Sequence, residues 1–377
     1  MVTQIFRILV GGLFIFSGLV KLNDPMGMAF KLHDYFAPDV LNLTFLNPLA
    51  LSLAVVIVIV EVVLGVSLLL GYKVKWTLGL LLAMILFFTF LTFYSAWFDK
   101  VTDCGCFGDA IPLTPWQSFT KDIILLVLIL WLIRFQSSIR PIFTSRINTG
   151  LMAGVLLINI GIAYYVLRHL PFIDFRPYAI GKSIPEGMKT AEELGLEPPK
   201  YLTFYTMVNT ETGEEKEVDS DTYVSDRWWE KDSWEIDGDR TKSKKVRDGY
   251  EAPIHDFVLE LDGEDVTDAV LSSDHIVLVI SYDLEKSNPN HHPRVNAFVE
   301  SAENAMVPVL GITATDAAKV EELRHEWQMA YPFASADQTT LKTIVRANPG
   351  VVVLKDGVIV DKWNPRDLPN HYFSGTK

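Results

Sequence analysis

The sequence predicts an α-helical membrane bundle of about five transmembrane helices followed by an α/β extracytoplasmic domain. Three observations carry that prediction. Five apolar runs, at roughly residues 3–20, 49–71, 76–98, 117–134 and 150–168, match the length of about 20 residues that a helix needs to cross a bilayer core. Residues 1–170 hold 11 Lys/Arg and 8 Asp/Glu, whereas residues 171–377 hold 22 and 38. A weakly basic, apolar half thus precedes an acidic half of ordinary soluble composition. Within that second half, short continuous apolar runs alternate with helical patterns, the mark of buried strands between helices. The expected division is 1–170 bundle, 171–250 extracytoplasmic connecting region and 251–377 α/β domain.

The first apolar run is read as a retained helix. It has no clear small-residue cleavage site, and further spans follow it. Lys73 and Lys75 lie between the second and third runs, and Arg134, Arg140 and Arg146 between the fourth and fifth. With Arg7 near the start, they place these loops and the N-terminus in the cytoplasm by the positive-inside rule. Residues 21–48, 99–116 and everything after about 170 are then periplasmic, and the protein is multi-pass in the cytoplasmic (inner) membrane. Its solvent is oxidising there, so a thiol pair can stay oxidised. The acidic second half argues against nucleic acid and against anionic lipid as partners.

The loop at 21–48 carries Pro25, Pro38 and Pro48 around an amphipathic stretch, Met26–Phe36, expected to lie along the membrane surface. Pro171, Pro177 and Pro185 mark the exit into water. Residues 178–250 are polar, and Trp228, Trp229 and Trp234 suggest a small ordered unit. Beyond it, 255–261, 275–282 and 307–313 read as strands, and 294–304, 316–329 and 339–346 as helices. Residues 351–354 and 358–363 read as a hairpin around Lys355-Asp356-Gly357, since Asp-Gly is a strong turn signal.

That order, with Asn348-Pro349 just before the first hairpin strand, resembles the thioredoxin fold over about 110 residues. The resemblance implies a cis proline facing a redox site that follows the strand ending at Tyr282. Asp283-Leu284-Glu285-Lys286-Ser287 stands there without a cysteine. The expectation is a thioredoxin-like domain lacking the redox cysteines, with Asp283, Asn348 and Pro349 at a surface for a protein partner, or a plain structural domain.

The two cysteines of the chain are Cys104 and Cys106, in Asp103-Cys104-Gly105-Cys106-Phe107-Gly108-Asp109 between two apolar runs. Three readings stand. As a redox pair they would close a tight ring, and departure from preferred disulfide geometry makes a bond easier to reduce. Gly105 supplies the backbone freedom. Asp103 and Asp109 disfavour a thiolate, which favours an electron-accepting bond. Alternatively the pair is a structural clip. A metal site is the weakest reading, because two thiols do not complete a tetrahedral shell. The neighbouring His291-His292 pair of the second half is a similarly weak metal signal, and no metal is expected.

Cys104-Gly105-Cys106-Phe107-Gly108 in such a loop resembles the MauE family. Arg7…Gly11-Gly12…Phe16-Ser17-Gly18…Lys21-Leu22…Asp24-Pro25 and Glu61…Gly65…Leu69-Leu70-Gly71 are similar to DoxX-type membrane proteins. The DoxX/MauE-like resemblance covers residues 1–135. It implies handling of disulfides in exported proteins. It also places the chain near quinone-linked oxidoreductases of the DsbB and VKOR kind, with a lipid quinone as candidate acceptor. Those families hold a second cysteine pair, which this chain lacks, so a partner thiol is implied.

Glu61 lies mid-span, where an ionisable group costs about 2.5 kcal/mol or more on insertion scales. It is expected to face the bundle interior near Ser17, Gly18 or Gly65, protonated or reaching toward Lys21. Its functional reading is proton transfer or quinone contact; the alternative is a packing hydrogen bond. Lys21 reads as a quinone contact or as a snorkelling lysine. Trp97 and Trp116, with Tyr94, read as a quinone wall or as an interfacial aromatic belt. His33 reads as a proton shuttle or a surface histidine. The function expected is a membrane component of extracytoplasmic thiol/disulfide handling through the Cys-Gly-Cys loop. The alternative is a non-catalytic, membrane-anchored scaffold.

Overall fold

The computed structural model describes residues 1–98, 100, 101, 105 and 107–372. The chain divides into two compact units, residues 1–181 with 258–377, and residues 182–257. Residues 171–181 therefore pack with the bundle unit, and 251–257 with the smaller unit.

The N-terminal part holds six α-helices: α1 (Val2–Asn23), α2 (Pro25–Phe36), α3 (Ala50–Leu70), α4 (Val74–Phe98), α5 (Pro115–Arg134) and α6 (Ser145–Arg168). Among the described residues five helices are long and apolar enough to cross a membrane, all of these except α2. The amphipathic stretch at 26–36 is α2 itself. The Asp24 side chain accepts from Gly27 N–H and Pro25 opens its first turn, satisfying a donor the helix cannot satisfy internally. Thr114 and Gln117 form a reciprocal capping box that starts α5.

Small residues set the closest helix pair. A Cβ on Gly65 would lie 2.8 Å from Gly11 O and 3.0 Å from Ile15 N, and one on Gly18 would meet Val62 Cγ2 at 2.6 Å. α1 and α3 thus approach backbone to backbone, as small residues allow in apolar surroundings. The same pair is tied at its far end by Arg7. Its Nε donates to Leu68 O at 2.9 Å and its Nη2 to Leu69 O at 2.6 Å, covering carbonyls that the end of α3 leaves open. Gly71 then turns the chain at φ +67°.

The unit at 182–257 comprises α7 (Ile184–Met188), β1 (Lys200–Asn209), β2 (Glu215–Asp219), α8 (Ser220–Ser225) and β3 (Trp234–Arg247). The strands form an antiparallel sheet in the order β2-β1-β3. Met207, Val218 and Trp228 are its core. The tryptophans marked an ordered unit; β2 and β3 are too charged to read as strands, whereas β1, KYLTFYTMVN, carries a strand signal in its own residues.

The remainder follows as β4 (Glu260–Leu261), β5 (Glu264–Asp265), α9 (Thr267–Leu271), β6 (Ile276–Ser281), α10 (His292–Asn304), β7 (Val309–Thr313), α11 (Ala317–Trp327), β8 (Phe333–Ser335), α12 (Gln338–Ile344), β9 (Gly350–Lys355) and β10 (Val358–Trp363). The sheet order is β10-β9-β6-β7-β8-β4-β5. β6 pairs with β7 in parallel and with β9 antiparallel, and the Asn348–Pro349 peptide is cis. This is the thioredoxin-like arrangement, an α/β domain after the helical bundle. Two readings are corrected. The strand expected over 255–261 is only Glu260–Leu261, because Leu259 N–H goes to the Thr267 hydroxyl instead of a neighbouring strand. β8 was not foreseen, since three residues carry no periodicity.

Candidate functional site

A cavity of about 190 Å³ lies at the end of the bundle that carries α2. Its two long walls are helix faces. Gly27, Phe30, Lys31 and Asp34 come from α2; Thr339, Lys342, Thr343 and Arg346 come from α12 and the residues just after it. Both sets follow helical spacing, which places them on one side of a helix. Gly105 closes the cavity between them. Its φ of +62° lies in the left-handed region, and a Cβ there would sit 3.3 Å from Lys31 Cγ. Cys104 and Cys106 flank Gly105 in sequence; both, with Asp103, lie outside the described residues.

Arg346 fastens the two walls. Its side chain is 7% exposed, with Nε 2.8 Å from Asp24 Oδ2 and Nη2 3.4 Å from Asp109 Oδ2. Nη1 donates to Lys342 O, and the guanidinium lies 5.3 Å from the Phe30 ring centre. Gly27 makes room for this, since a Cβ there would be 3.1 Å from Arg346 Nη2. Burial pushes the Lys342 ammonium below the usual lysine range.

Behind this cavity the bundle buries two ion pairs. Lys21 Nζ of α1 is 2.7 Å from Glu61 Oε2 of α3, each side chain 4% exposed. The approach is not aligned as a hydrogen bond, which leaves that oxygen an open acceptor. Of the two arrangements expected for Glu61, the structure has the pairing with Lys21. On the next pair of helices, Lys121 Nζ lies 2.6 Å from Asp122 Oδ1, and Thr92 Oγ1 of α4 donates to Asp122 Oδ2 at 3.0 Å. The sequence reading passed over Asp122, although an acid inside an apolar run was the signal that singled out Glu61. A cavity of about 20 Å³ touches Ser17 and all four charged side chains. Lys21 lines this cavity, the large one and a third of about 10 Å³ that also reaches Thr92 and Gly105.

The other sequence-predicted residues are dispersed. Trp97 and Trp116 are mostly exposed on the bundle surface, joined through Phe93 and Phe119. Lys21 is interior, so the three do not line one headgroup site. His33 borders the large cavity with Nδ1 3.1 Å from Asn47 Oδ1. Asn348 Nδ2 donates to Asp283 O at 2.6 Å beside the cis proline, and Asp283 pairs with Lys286. That corner is not open: the adjacent Tyr282 ring packs edge-on against Phe30 of α2 at 6.1 Å. His292 is a core histidine. Its Nε2 lies 2.9 Å from Ser287 Oγ, its ring stacks on Trp327, and burial pushes its pKa down to about 4.

A further buried cluster escaped the sequence reading. Lys362 Nζ meets Asp174 Oδ2 at 2.9 Å, Ile344 O at 2.7 Å and Tyr178 O. Arg176, which borders the large cavity, holds Asp174 from the other side at 2.7 Å. Burial alone would raise the Asp174 carboxyl, but Arg176 and Lys362 hold it below the usual carboxylate range.

Comparison with known proteins agrees with the bundle. The sequence model of the family described as methylamine utilisation protein MauE matches residues 1–135. Protein TlpB of Flavobacterium psychrophilum is 29% identical over 137 residues, which are 33% of this chain and 35% of that protein. The match thus spans about a third of the curated relative's length. The solution structure of a protein described as a disulfide isomerase from Bacteroides thetaiotaomicron is 18% identical, covering 30% of this chain and 78% of that one, with a TM-score of 0.25. The chain therefore carries a MauE-like, multi-pass membrane segment in contact with lipid.

Proposed function

We propose that this protein is a membrane component of extracytoplasmic thiol/disulfide handling, acting through the Cys104-Gly105-Cys106 loop. One observation carries the reading: Gly105, the residue between the two cysteines, lines the 190 Å³ cavity walled by α2 and α12. That cavity gives a partner segment a place to approach the loop. The MauE-like match includes the loop.

The reaction is thiol–disulfide exchange. A partner thiolate attacks one sulfur of a Cys104–Cys106 bond, forming a mixed disulfide and releasing the other sulfur as a thiolate. The partner's second thiolate then displaces the loop, leaving an oxidised partner and a reduced loop. Two electrons pass to the loop. A lipid quinone is the acceptor class assigned to reoxidation, but Lys21, Trp97 and Trp116 do not converge on one quinone site, and no step is built on them.

The test is the redox state of the loop in isolated membranes, read by a thiol-reactive mass tag. The expected result is a bond that opens with a mild dithiol and re-forms faster when quinone is added. A bond that stays closed under mild reduction would turn the loop into a structural clip.

The scaffold reading has its own observation, the absence of cysteine at 283–287 beside the cis proline. In that reading the Asp283–Pro349 corner binds a partner once Phe30 withdraws. Partner capture from membranes by the full chain, lost on Pro349→Ala and kept in Cys104→Ser/Cys106→Ser, would favour it over the redox reading.

A further inference from the structure

We propose that Lys21–Glu61 and Thr92–Asp122–Lys121 form one proton-exchanging network, closed by a water molecule in the cavity between them and entered through Lys21. The inference does not depend on the cysteines. It assigns a role to Asp122, which neither the motif resemblance nor the thiol reading uses.

Three observations carry it. First, the two ion pairs border one cavity in the same apolar bundle, drawn from α1, α3, α4 and α5, with Lys21, Glu61 and Asp122 buried and Lys121 partly so. Breaking such a pair by removing one partner costs about 3–5 kcal/mol, so each must keep its counter-charge. Second, the space between them is of the right size, and polar side chains reach it among a lining that is otherwise Leu13, Phe14, Ile85, Phe88, Phe107 and Leu125. A water needs a cavity of about 10–15 Å³ and two to four polar partners. This cavity has about 20 Å³ and is bordered by Ser17, Lys21, Glu61, Lys121 and Asp122. Glu61 Oε2 is buried with no aligned hydrogen bond, so it offers the water an acceptor. Third, Lys21 borders all three cavities and thus links the buried one to the 190 Å³ cavity at the α2 end.

The proton count is simple. Lys21 ammonium gives one proton to Glu61, leaving a neutral amine and a neutral acid. The amine takes a proton from a hydronium ion in the large cavity, which is left as water, so one proton has entered. The bridging water then accepts the proton of Glu61 as it passes its own to Asp122. The reverse sequence returns the proton to the large cavity, so Asp122 is neutral only in passing and regains its pairing with Lys121; no oxidant is needed. The polar groups that face this path are Ser17 and Lys21 from α1, Lys31 and Tyr35 from α2, Glu61 from α3, Thr92 and Ser95 from α4, and Lys121 and Asp122 from α5; Asp24, His33, Asp34, Asp109 and Arg346 face Lys21 across the large cavity. Tyr35 and Ser95 are engaged with each other at 2.8 Å.

The test is a pH titration of the buried carboxyl C=O infrared bands, in H₂O and D₂O. It uses the full chain in lipid nanodiscs, in a Cys104→Ser/Cys106→Ser background so that thiols do not contribute. Glu61→Gln is expected to shift the Asp122 carboxyl band, and Asp122→Asn the Glu61 band, because each acid then loses the partner it reaches through the bridging water. Lys21→Met/Glu61→Gln, which removes both members of one pair and leaves no unpaired charge, is expected to slow deuteration of the Asp122 carboxyl at least ten-fold. Bands that ignore the other acid would reduce the network to two independent structural pairs. Deuteration of Asp122 at the wild-type rate in the double variant would overturn entry through Lys21.

Discussion

Lys362 shows how burial and pairing compete at one residue. It has three oxygen partners, including Asp174, yet burial still pushes its pKa from 10.5 down to about 8. Between those values the unfolded chain binds a proton that the folded chain does not, so stability must rise with pH across that window. Thermal unfolding of the wild type in detergent is expected to shift upward from pH 8 to pH 10.5, whereas Lys362→Met should show a smaller rise, because Lys342 is lowered by burial in the same sense. Asp174 works in the other sense. Its lowered pKa contributes stability at neutral pH that is lost as pH falls below the usual carboxylate range. At this scale the sequence was half legible. Glu61 stood out because a lone acid in Val60-Glu61-Val62 has few bland explanations. Asp122, beside Lys121 near the start of its run, reads as an interfacial charge until its 1% exposure is seen.

Among the elements, the α1–α3 pair is the most exacting. Gly65 faces backbone atoms of α1 that cannot move aside, whereas a Cβ on Gly12 would meet nothing within 4 Å. Gly65→Ala is therefore expected to destabilise the bundle by about 1–3 kcal/mol, the usual cost of overpacking. Gly12→Ala should be neutral or slightly stabilising, because alanine is the better helix former. Thermal unfolding of the two variants in the same detergent separates these outcomes; equal midpoints would mean α1 and α3 shift apart without cost. Helix positions were legible because apolar length is a local property. The sheet at 200–247 was not, because β2 and β3, which flank the apolar β1, are dominated by charged residues and the β1–β3 register shifts near Lys200 and Phe204.

Across the whole bundle unit, Arg346 is the link that joins distant stretches of chain. It meets Asp24, Asp109 and Phe30, while Lys342 lies over the Phe30 and Tyr282 rings. Arg346→Gln is expected to lower amide-exchange protection in 25–36 and 338–346 together by about ten-fold, what ~1.4 kcal/mol of lost interaction produces. β6 and β9 should keep theirs, since their cores do not touch Arg346. Unchanged protection in both segments would show that apolar packing alone holds the α12 face. The same arrangement explains why a free peptide surface at Pro349 was an incomplete expectation. The corner adjoins Tyr282, which the chain's own α2 already covers.

The sequence by itself determined the five spans, the thioredoxin-like order of the second half, and the unusual status of Glu61 and of the cysteine pair. Each is written in local composition, in periodicity of hydropathy, or in one residue out of keeping with its neighbours. Only the tertiary structure decided that Glu61 pairs with Lys21, that Asp122 stands across a water-sized cavity from it, and that α12 and α2 wall the cavity at Gly105. Those facts depend on which helix faces meet, and the residues concerned are up to 322 positions apart in the chain. No local pattern encodes that distance; packing of small residues and pairing of buried charges does.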